Sequence, residues 1–459
     1  MSSLHLPPAP SAPHAAILPI PLERVLPNGL HVIAFQQRTG PKALGVPLIA
    51  AQLIVRGGGS SEGDAAAGLS QLTATLLTQG TTTRTAFEIA QAIDALGARL
   101  DAHSGYDAQV VSVSATTPVF ERAFALMAEV LRFPAFAQAE VERVRTKASG
   151  DLGLIYSNPS SLARLVANRV AYADTPYGHP LSGTVQSLAT LTREHVTHFH
   201  SRWFRPDNAV LVIGGDLAPD AAFALAERTL GDWYAPAQAL VPAAAFEPPT
   251  ARARIVAIDK PDAGRTAVLV GRTAIARHAP EYAAAIVAAA LLSGYSGRLN
   301  QEIRVKRGLS YGAGASLAAR RSPGLFIAST LVDHTKAAEA TAVILATLAD
   351  VAQAHVSAAE RAPRVATITG GFYRGIETID GIASTLGELA LYGLPLADLG
   401  AYVPRIEAVT PAQIQHVVRS KMAADDFVVL VGDAKKFSDA LDSHACIIGA
   451  SDLDLNALI

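Results

Sequence analysis

The sequence predicts an α+β fold: two homologous α/β sandwich domains in tandem, each a sheet covered by helices. Three observations carry this. First, TREHVTHFHSRWFRPDNAVLVIGGD (Thr192–Asp216) and TPAQIQHVVRSKMAADDFVVLVGD (Thr410–Asp433) repeat one pattern: a capping Thr, an apolar-spaced helix, and a β-rich run closed by Gly-Asp. Second, the offset barely varies. It is 218 at the Thr, 217 at the Asp and 215 between Leu76-Leu77 and Leu291-Leu292, far beyond the period of a solenoid. Third, strand-like and helix-like runs interleave along the chain, as a layered α+β domain requires.

Taken in order, MSSLHLPPAPSAPHAAILPIP is rich in Pro and Ala, and residues 1–20 read as a flexible leader. No basic segment precedes an apolar core there, so it is not a signal peptide; a signal removed from a precursor would leave the same appearance. The N-terminal domain is expected over 21–235. Within it GLHVIAF (29–35) and LIAAQLIVRG (48–57) read as strands, 66–79 and 86–97 as helices, DAQVVSVSATT (107–117) as a strand and 119–133 as a helix. A semi-rigid Pro/Ala-rich linker, 236–253, leads to the C-terminal domain, 254–459. The pattern leaves open whether the sheets are mainly antiparallel.

Half of the 459 residues are hydrophobic and 17% are charged, enough apolar material for two cores. A net charge of −2 shows no basic footprint for nucleic acid. The apolar run Tyr282–Leu292 falls well short of the roughly 18–20 residues that span a bilayer, so it reads as a buried helix and no membrane span is expected. The single cysteine, Cys446, excludes an intrachain disulfide and a thiolate zinc cluster, and reads as a small buried hydrophobe.

Two segments carry the chemistry. GLSQLTATLLTQGT (68–81) is an apolar helix, and SGRLNQEIRVKRGLSYGAG (296–314) holds Arg304 and Tyr311 seven residues apart. Together with LPNGLHV (26–32), RGGGSSEGDAAAGLSQLTATLLTQGT (56–81), PYGHPLSGTVQSLATLTREHV (176–196) and FRPDNAVLVIGGD (204–216), they resemble the pitrilysin and mitochondrial-processing-peptidase family, the inverted-motif zinc peptidases or inverzincins. The resemblance spans most of the chain.

That resemblance implies two similar domains per chain and a clam-shell assembly with a partner chain around a peptide chamber. In catalytic members a His-x-x-Glu-His helix supplies two zinc ligands and the general base, and a downstream Glu completes the site. Here the motif positions are Gln71, Ala74 and Thr75, none of which replaces the residue it stands for. Asp151, in ASGDLGL, is the nearest acid where the third ligand would fall, and the duplication sets Ile286 opposite Gln71. The chain is therefore expected to hold no metal.

The resemblance gives Arg304 and Tyr311 a role: a pair that reaches the zinc site of a facing first domain and binds the scissile carbonyl. A guanidinium and a phenol hydroxyl suit an oxygen that gains negative charge in the transition state. Gly308, Leu309 and Gly312 are also in place, whereas the first half has Ala90 and Gly97 near the equivalent positions. Outside the family frame, Arg304 is an ordinary helix charge and Tyr311 an amphipathic strand residue. Lys306 and Arg307 read as solvated charges.

Two further clusters have plainer readings. His195 and His198 are spaced to share a metal, with His200 aside. No carboxylate completes the set and the duplicated helix keeps only His416, so a solvated or packed helix is expected. GGGS (57–60) lacks the Lys-Ser/Thr of a phosphate loop and reads as a strand-end turn.

The functional expectation is a non-metal-binding subunit of a bacterial heterodimeric zinc endopeptidase. It would be inactive alone and hold no cofactor of its own, with zinc in a homologous partner subunit, peptides as substrates, and the periplasm favoured over the cytoplasm. The alternative is a catalytically inert scaffold or peptide-binding homologue. A processing factor for a ribosomally made cofactor precursor is compatible with the family, with no residue in its support.

Overall fold

A computed structural model describes residues 17–37, 47–240, 244–249, 254–353, 356–423, 427–441 and 445–455. The expected leader lies almost wholly outside the described residues. The first sheet comprises β1 (Leu22–Val25), β2 (His31–Gln36), β3 (Leu48–Arg56), β4 (Arg99–Ser104), β5 (Ala108–Thr116) and β6 (Ala209–Gly215). The second comprises β7 (Arg254–Asp259), β8 (Thr266–Thr273), β9 (Ala313–Ala318), β10 (Leu325–Val332), β11 (Phe427–Gly432) and β12 (Cys446–Gly449). Their orders are β1-β2-β6-β3-β5-β4 and β12-β7-β11-β8-β10-β9. Apart from the edge strands β1 and β12, the two orders are the same, so the duplication seen in the sequence is a duplication of topology.

Both sheets are mixed. β2 pairs parallel with β6, and β7 pairs parallel with β11 and β12; the remaining pairs are antiparallel. Strand β4 was not anticipated. Its sequence, RLDAHS, is largely polar because it is an edge strand whose alternate residues Arg99, Asp101 and His103 are exposed. The helix expected over 66–79 begins only at Leu69, because Gly68 takes a left-handed conformation (φ 91°).

The repeated Thr residues do cap helices. The Thr192 side chain accepts from the His195 N–H to open helix Arg193–Trp203, and Thr410 accepts from Gln413 N–H to open helix Pro411–Lys421. Each helix leads into a central strand, β6 or β11, buried at every residue. A strand buried on both faces needs cover on both sides.

That cover crosses between the halves. Along β2 and β6, Val32, Ala34, Leu211 and Ile213 face the helices of their own half. The alternate residues Ile33, Phe35, Val210 and Val212 pack with Ile379, Ile382, Ala383 and Leu386 of helix Ile379–Leu391, which belongs to the second half. The exchange is reciprocal. Val256, Ile258, Leu269, Val429 and Val431 of the second sheet pack with Leu162, Val166 and Ala167 of helix Pro159–Tyr172 from the first half.

One consequence is a close approach. A Cβ on Gly387 would lie 2.8 Å from Ile54 Cδ1 on β3. Gly387→Val is expected to lower stability by about 1–3 kcal/mol through overpacking, read as a lower urea midpoint at unchanged slope.

Polar contacts pin the same seam. Buried Asp107 accepts from Tyr177 Oη at 2.5 Å, from Tyr392 Oη at 3.2 Å and from the Arg321 N–H at 3.1 Å. Gln52 Nε2 donates to Ser384 Oγ at 2.7 Å. Helix Tyr282–Leu292 is a core helix as expected, with Val287, Ala288, Leu291 and Leu292 buried. Among the described residues no single helix is long and apolar enough to cross a membrane. Cys446 corrects an expectation. It is exposed, because it opens the short edge strand β12, which pairs on one side only, with β7.

Candidate functional site

Helix Leu69–Leu76 is fixed from its N-terminal end. The Glu62 carboxylate accepts from the N–H groups of Gly68 (2.9 Å) and Ser70 (2.6 Å), placing an anion against the helix dipole. Burial pushes the Glu62 carboxyl above the usual carboxylate range, opposed by His179, whose Nε2 lies 3.4 Å away, and by the two N–H groups. His179 is itself held by a 2.8 Å contact from Nε2 to the Gly59 carbonyl. Gly59 lies in the GGGS segment, where a short 3-10 turn (Gly59–Ser61) follows β3, as expected.

The helix so placed offers nothing to zinc. Ala74 is a buried methyl group, and the Thr75 hydroxyl donates to the Gln71 carbonyl at 2.9 Å. Gln71 faces a cavity of about 580 Å³, and Asp151 lines the same cavity from helix Gln138–Ser157. The structure thus brings Gln71 and Asp151 together. Asp151, however, is held by Lys147 at 2.6 Å. An amide and one paired carboxylate do not make a zinc site, which needs three good donors and an open position. Ile286, opposite Gln71 in the duplicate, packs on the second core.

Around that cavity stand residues that sequence reasoning missed: Tyr106, Arg164, Asn168 and Arg320. Arg320 comes from the second half, in the β9–β10 connection. No local pattern could place it beside Tyr106, because the halves meet only through tertiary packing.

Arg304 and Tyr311 lie on the other side of β9 in sequence. Arg304 sits in a π-helical turn, Gln301–Val305, and is exposed. Gly308 (φ 64°) closes the turn, its N–H donating to the Arg304 carbonyl. Lys306 and Arg307, expected to be solvated, are exposed but both pair with Glu302 at 2.5 Å, and those two cations hold its carboxyl below the usual range. Arg304 makes no ion pair among the described residues; its guanidinium lies 5.2 Å from the Tyr295 ring centroid. Tyr311 is 76% exposed, with the Arg265 guanidinium 5.1 Å from its ring. Each of the pair is therefore presented outward, and each has its own stacking partner rather than the other.

The histidine cluster is structural. His195 Nδ1 accepts from the Thr192 N–H and completes the capping box. His200 contacts the Leu131 carbonyl at 2.8 Å through Nε2 and stacks on Phe204. Among the described residues no three His, Cys, Asp or Glu side chains gather as a metal site. Burial lowers the His200 pKa to about 4 from 6.5. Between these values the unfolded chain binds a proton that the folded chain refuses, so the stability His200 provides is complete above pH 6.5 and is lost as pH falls toward 4. At about 1.4 kcal/mol per pH unit this amounts to roughly 3 kcal/mol. His200→Leu is expected to flatten the urea midpoint against pH across that window; an unchanged slope would assign the acid sensitivity to other groups.

Comparison with known proteins places this geometry. Residues 46–185 match the family model described as insulinase (peptidase family M16), and residues 190–362 match peptidase M16 inactive domain; together they cover more than half of the chain. A protein of Mycobacterium leprae named an uncharacterized zinc protease is 29% identical over 368 residues, 78% of this chain and 80% of its own. One of Mycobacterium tuberculosis, named likewise, is 27% identical over 419 residues, 90% of this chain and 92% of its own. In structure, a peptidase M16 inactive domain from Pseudomonas fluorescens superposes with a TM-score of 0.82 at 24% identity, covering 90% of this chain and 98% of that one. A Helicobacter pylori protease gives 0.82 at 18% identity, covering 91% and 100%. Two duplicated sheets, each covered by helices from both halves, define the class, a two-domain homologue of the M16 peptidases. The chain belongs to the M16 peptidase family, that of pitrilysin and the mitochondrial processing peptidase.

Proposed function

We propose that this chain is the non-metal subunit of a heterodimeric zinc endopeptidase, and that it presents Arg304 and Tyr311 to the scissile carbonyl of a peptide held in the partner's site. One contrast supports the reading: the Leu69–Leu76 helix carries no donor set, while Arg304 and Tyr311 stand exposed on the second half. The relatives named zinc proteases, and a 25% identical match over 178 residues to the α-subunit of the Neurospora crassa mitochondrial processing peptidase, are consistent with division of labour between related chains. Zinc, bound by the partner, would supply the activated water. This chain's residues orient the carbonyl and donate hydrogen bonds to its oxygen as charge develops. Glu302 assists by engaging Lys306 and Arg307, which leaves Arg304 without a carboxylate partner among the described residues.

The test is reconstitution. The isolated chain is expected to bind no stoichiometric zinc and to cleave no peptide, and mixing it with a homologue that carries His-x-x-Glu-His is expected to create activity. Complex formation without activity would favour the inert scaffold instead.

A further inference from the structure

Tyr295 is 73% exposed, on the loop that joins helix Tyr282–Leu292 to the turn of Arg304. Burial does not explain a ring so placed, yet its backbone is held from several sides. Ser293 Oγ accepts from the Ala315 N–H at 2.7 Å and donates to the Ala315 carbonyl, tying the start of the loop to β9. From helix Ala358–Gly375, Arg364 Nη2 donates to the Ser296 carbonyl at 2.6 Å and to the Ser296 hydroxyl at 2.9 Å. Gly294, in the left-handed region at φ 81°, turns the chain just ahead of Tyr295.

The carbonyl of Tyr295 is fixed to the Arg304 turn itself. It accepts from Asn300 Nδ2 at 2.7 Å and from Gln301 Nε2 at 3.2 Å. Asn300 is buried, and its Oδ1 accepts from the Ala313 N–H at 3.4 Å, two residues after Tyr311. One side chain thus joins the loop of Tyr295, the turn of Arg304 and the strand that follows Tyr311. In this frame the Tyr295 ring centroid lies 5.2 Å from the Arg304 guanidinium carbon. Arg304 is exposed and makes no ion pair among the described residues, so a carboxylate does not set its direction. An exposed arginine otherwise samples many rotamers.

We infer that Tyr295 is a positioning residue for Arg304. The ring offers a fixed flat face, and a guanidinium stacked on such a face keeps its N–H donors in its own plane, available to an acceptor. The ring is what this task needs; the hydroxyl is not. The inference rests on the proposed role of Arg304 and adds the group that aims it. Tyr295 acts through Arg304 and does not touch the reacting atoms.

Two measurements test this. The first is the arginine Nε–Hε spectrum of the chain alone, made with isotopically labelled arginine. The Arg304 signal, assigned by its loss in Arg304→Ala, is expected to be displaced upfield by the ring. It should move to the position of an unstacked arginine in Tyr295→Leu and stay displaced in Tyr295→Phe. An unmoved signal in Tyr295→Leu would overturn the inference, with or without a zinc-bearing partner. The second is the rate of the reconstituted heterodimer. Tyr295→Leu is expected to lower kcat about three- to fivefold at unchanged KM, and Tyr295→Phe to keep the native kcat. In an Arg304→Ala chain, Tyr295→Leu should cost nothing further. Native kcat in Tyr295→Leu beside an impaired Arg304→Ala would overturn the inference alone. A further loss in the Arg304→Ala chain would also overturn it, because the ring would then serve the peptide directly. Full activity in Arg304→Ala would remove the proposed role of Arg304 and this inference with it.

Discussion

Ile382→Asp is expected to abolish cooperative folding of the whole chain, although residue 382 lies in the second half. Ile382 is fully buried among Ile33, Phe35, Val210 and Val212 of the first sheet. Losing the side chain costs about 2–5 kcal/mol, and leaving a buried carboxylate unpaired costs several more. Together these rival the roughly 5–15 kcal/mol by which a domain is stable. The reporters lie in the other half: both tryptophans, Trp203 and Trp233, belong to the N-terminal half and are buried. Their emission should shift to that of exposed indole in the variant, whereas Ile382→Val should lose only about 0.5–1.5 kcal/mol and keep native emission. Native tryptophan emission in Ile382→Asp, with only the C-terminal half unfolded, would show that the halves do not share these cores. By the same argument, residues 254–459 expressed alone should not fold, because the second sheet would lose the cover of helix Pro159–Tyr172.

Arg304→Ala in the reconstituted heterodimer is expected to lower kcat by about 10²–10³, the usual effect of removing one donor to a developing oxyanion, with zinc content unchanged. Tyr311→Phe removes a hydroxyl from the same task and should fall in the same direction. Donors in the proposed role act on charge that develops in the transition state, so kcat is expected to drop more than KM rises. Arg307→Ala is the control: Arg307 is paired with Glu302, and its loss should change the rate only a few-fold. Full activity in both Arg304→Ala and Tyr311→Phe would sink the assignment of the pair.

Much of the architecture was legible because it is written locally. Thr192 and Thr410 announce their helices through side-chain caps, β3 and β5 through β-branched apolar runs, and the constant offset between the copies matches the shared strand order. Strand β4 escaped because its alternation rests on two apolar residues alone, Leu100 and Ala102, among polar neighbours. Cys446 was misjudged for a related reason: residue type predicts average burial, and an edge strand departs from the average. At the site, Gln71, Ala74 and Thr75 declare in sequence that zinc donors are missing, while Arg320 gives no sign that it belongs beside them.

By itself the sequence determined the two copies, their sheets and caps, the absence of metal donors in the Leu69–Leu76 helix, and the spacing of Arg304 and Tyr311. Tertiary structure alone decided that helix Ile379–Leu391 covers the first sheet and helix Pro159–Tyr172 the second, and that Arg320 comes to rest among Tyr106 and Tyr177 without a hydrogen-bond acceptor for its buried Nη1. The physical reason is that hydrophobic burial is non-directional. An apolar stripe states that a helix must be covered, and only the packing of distant segments states by what.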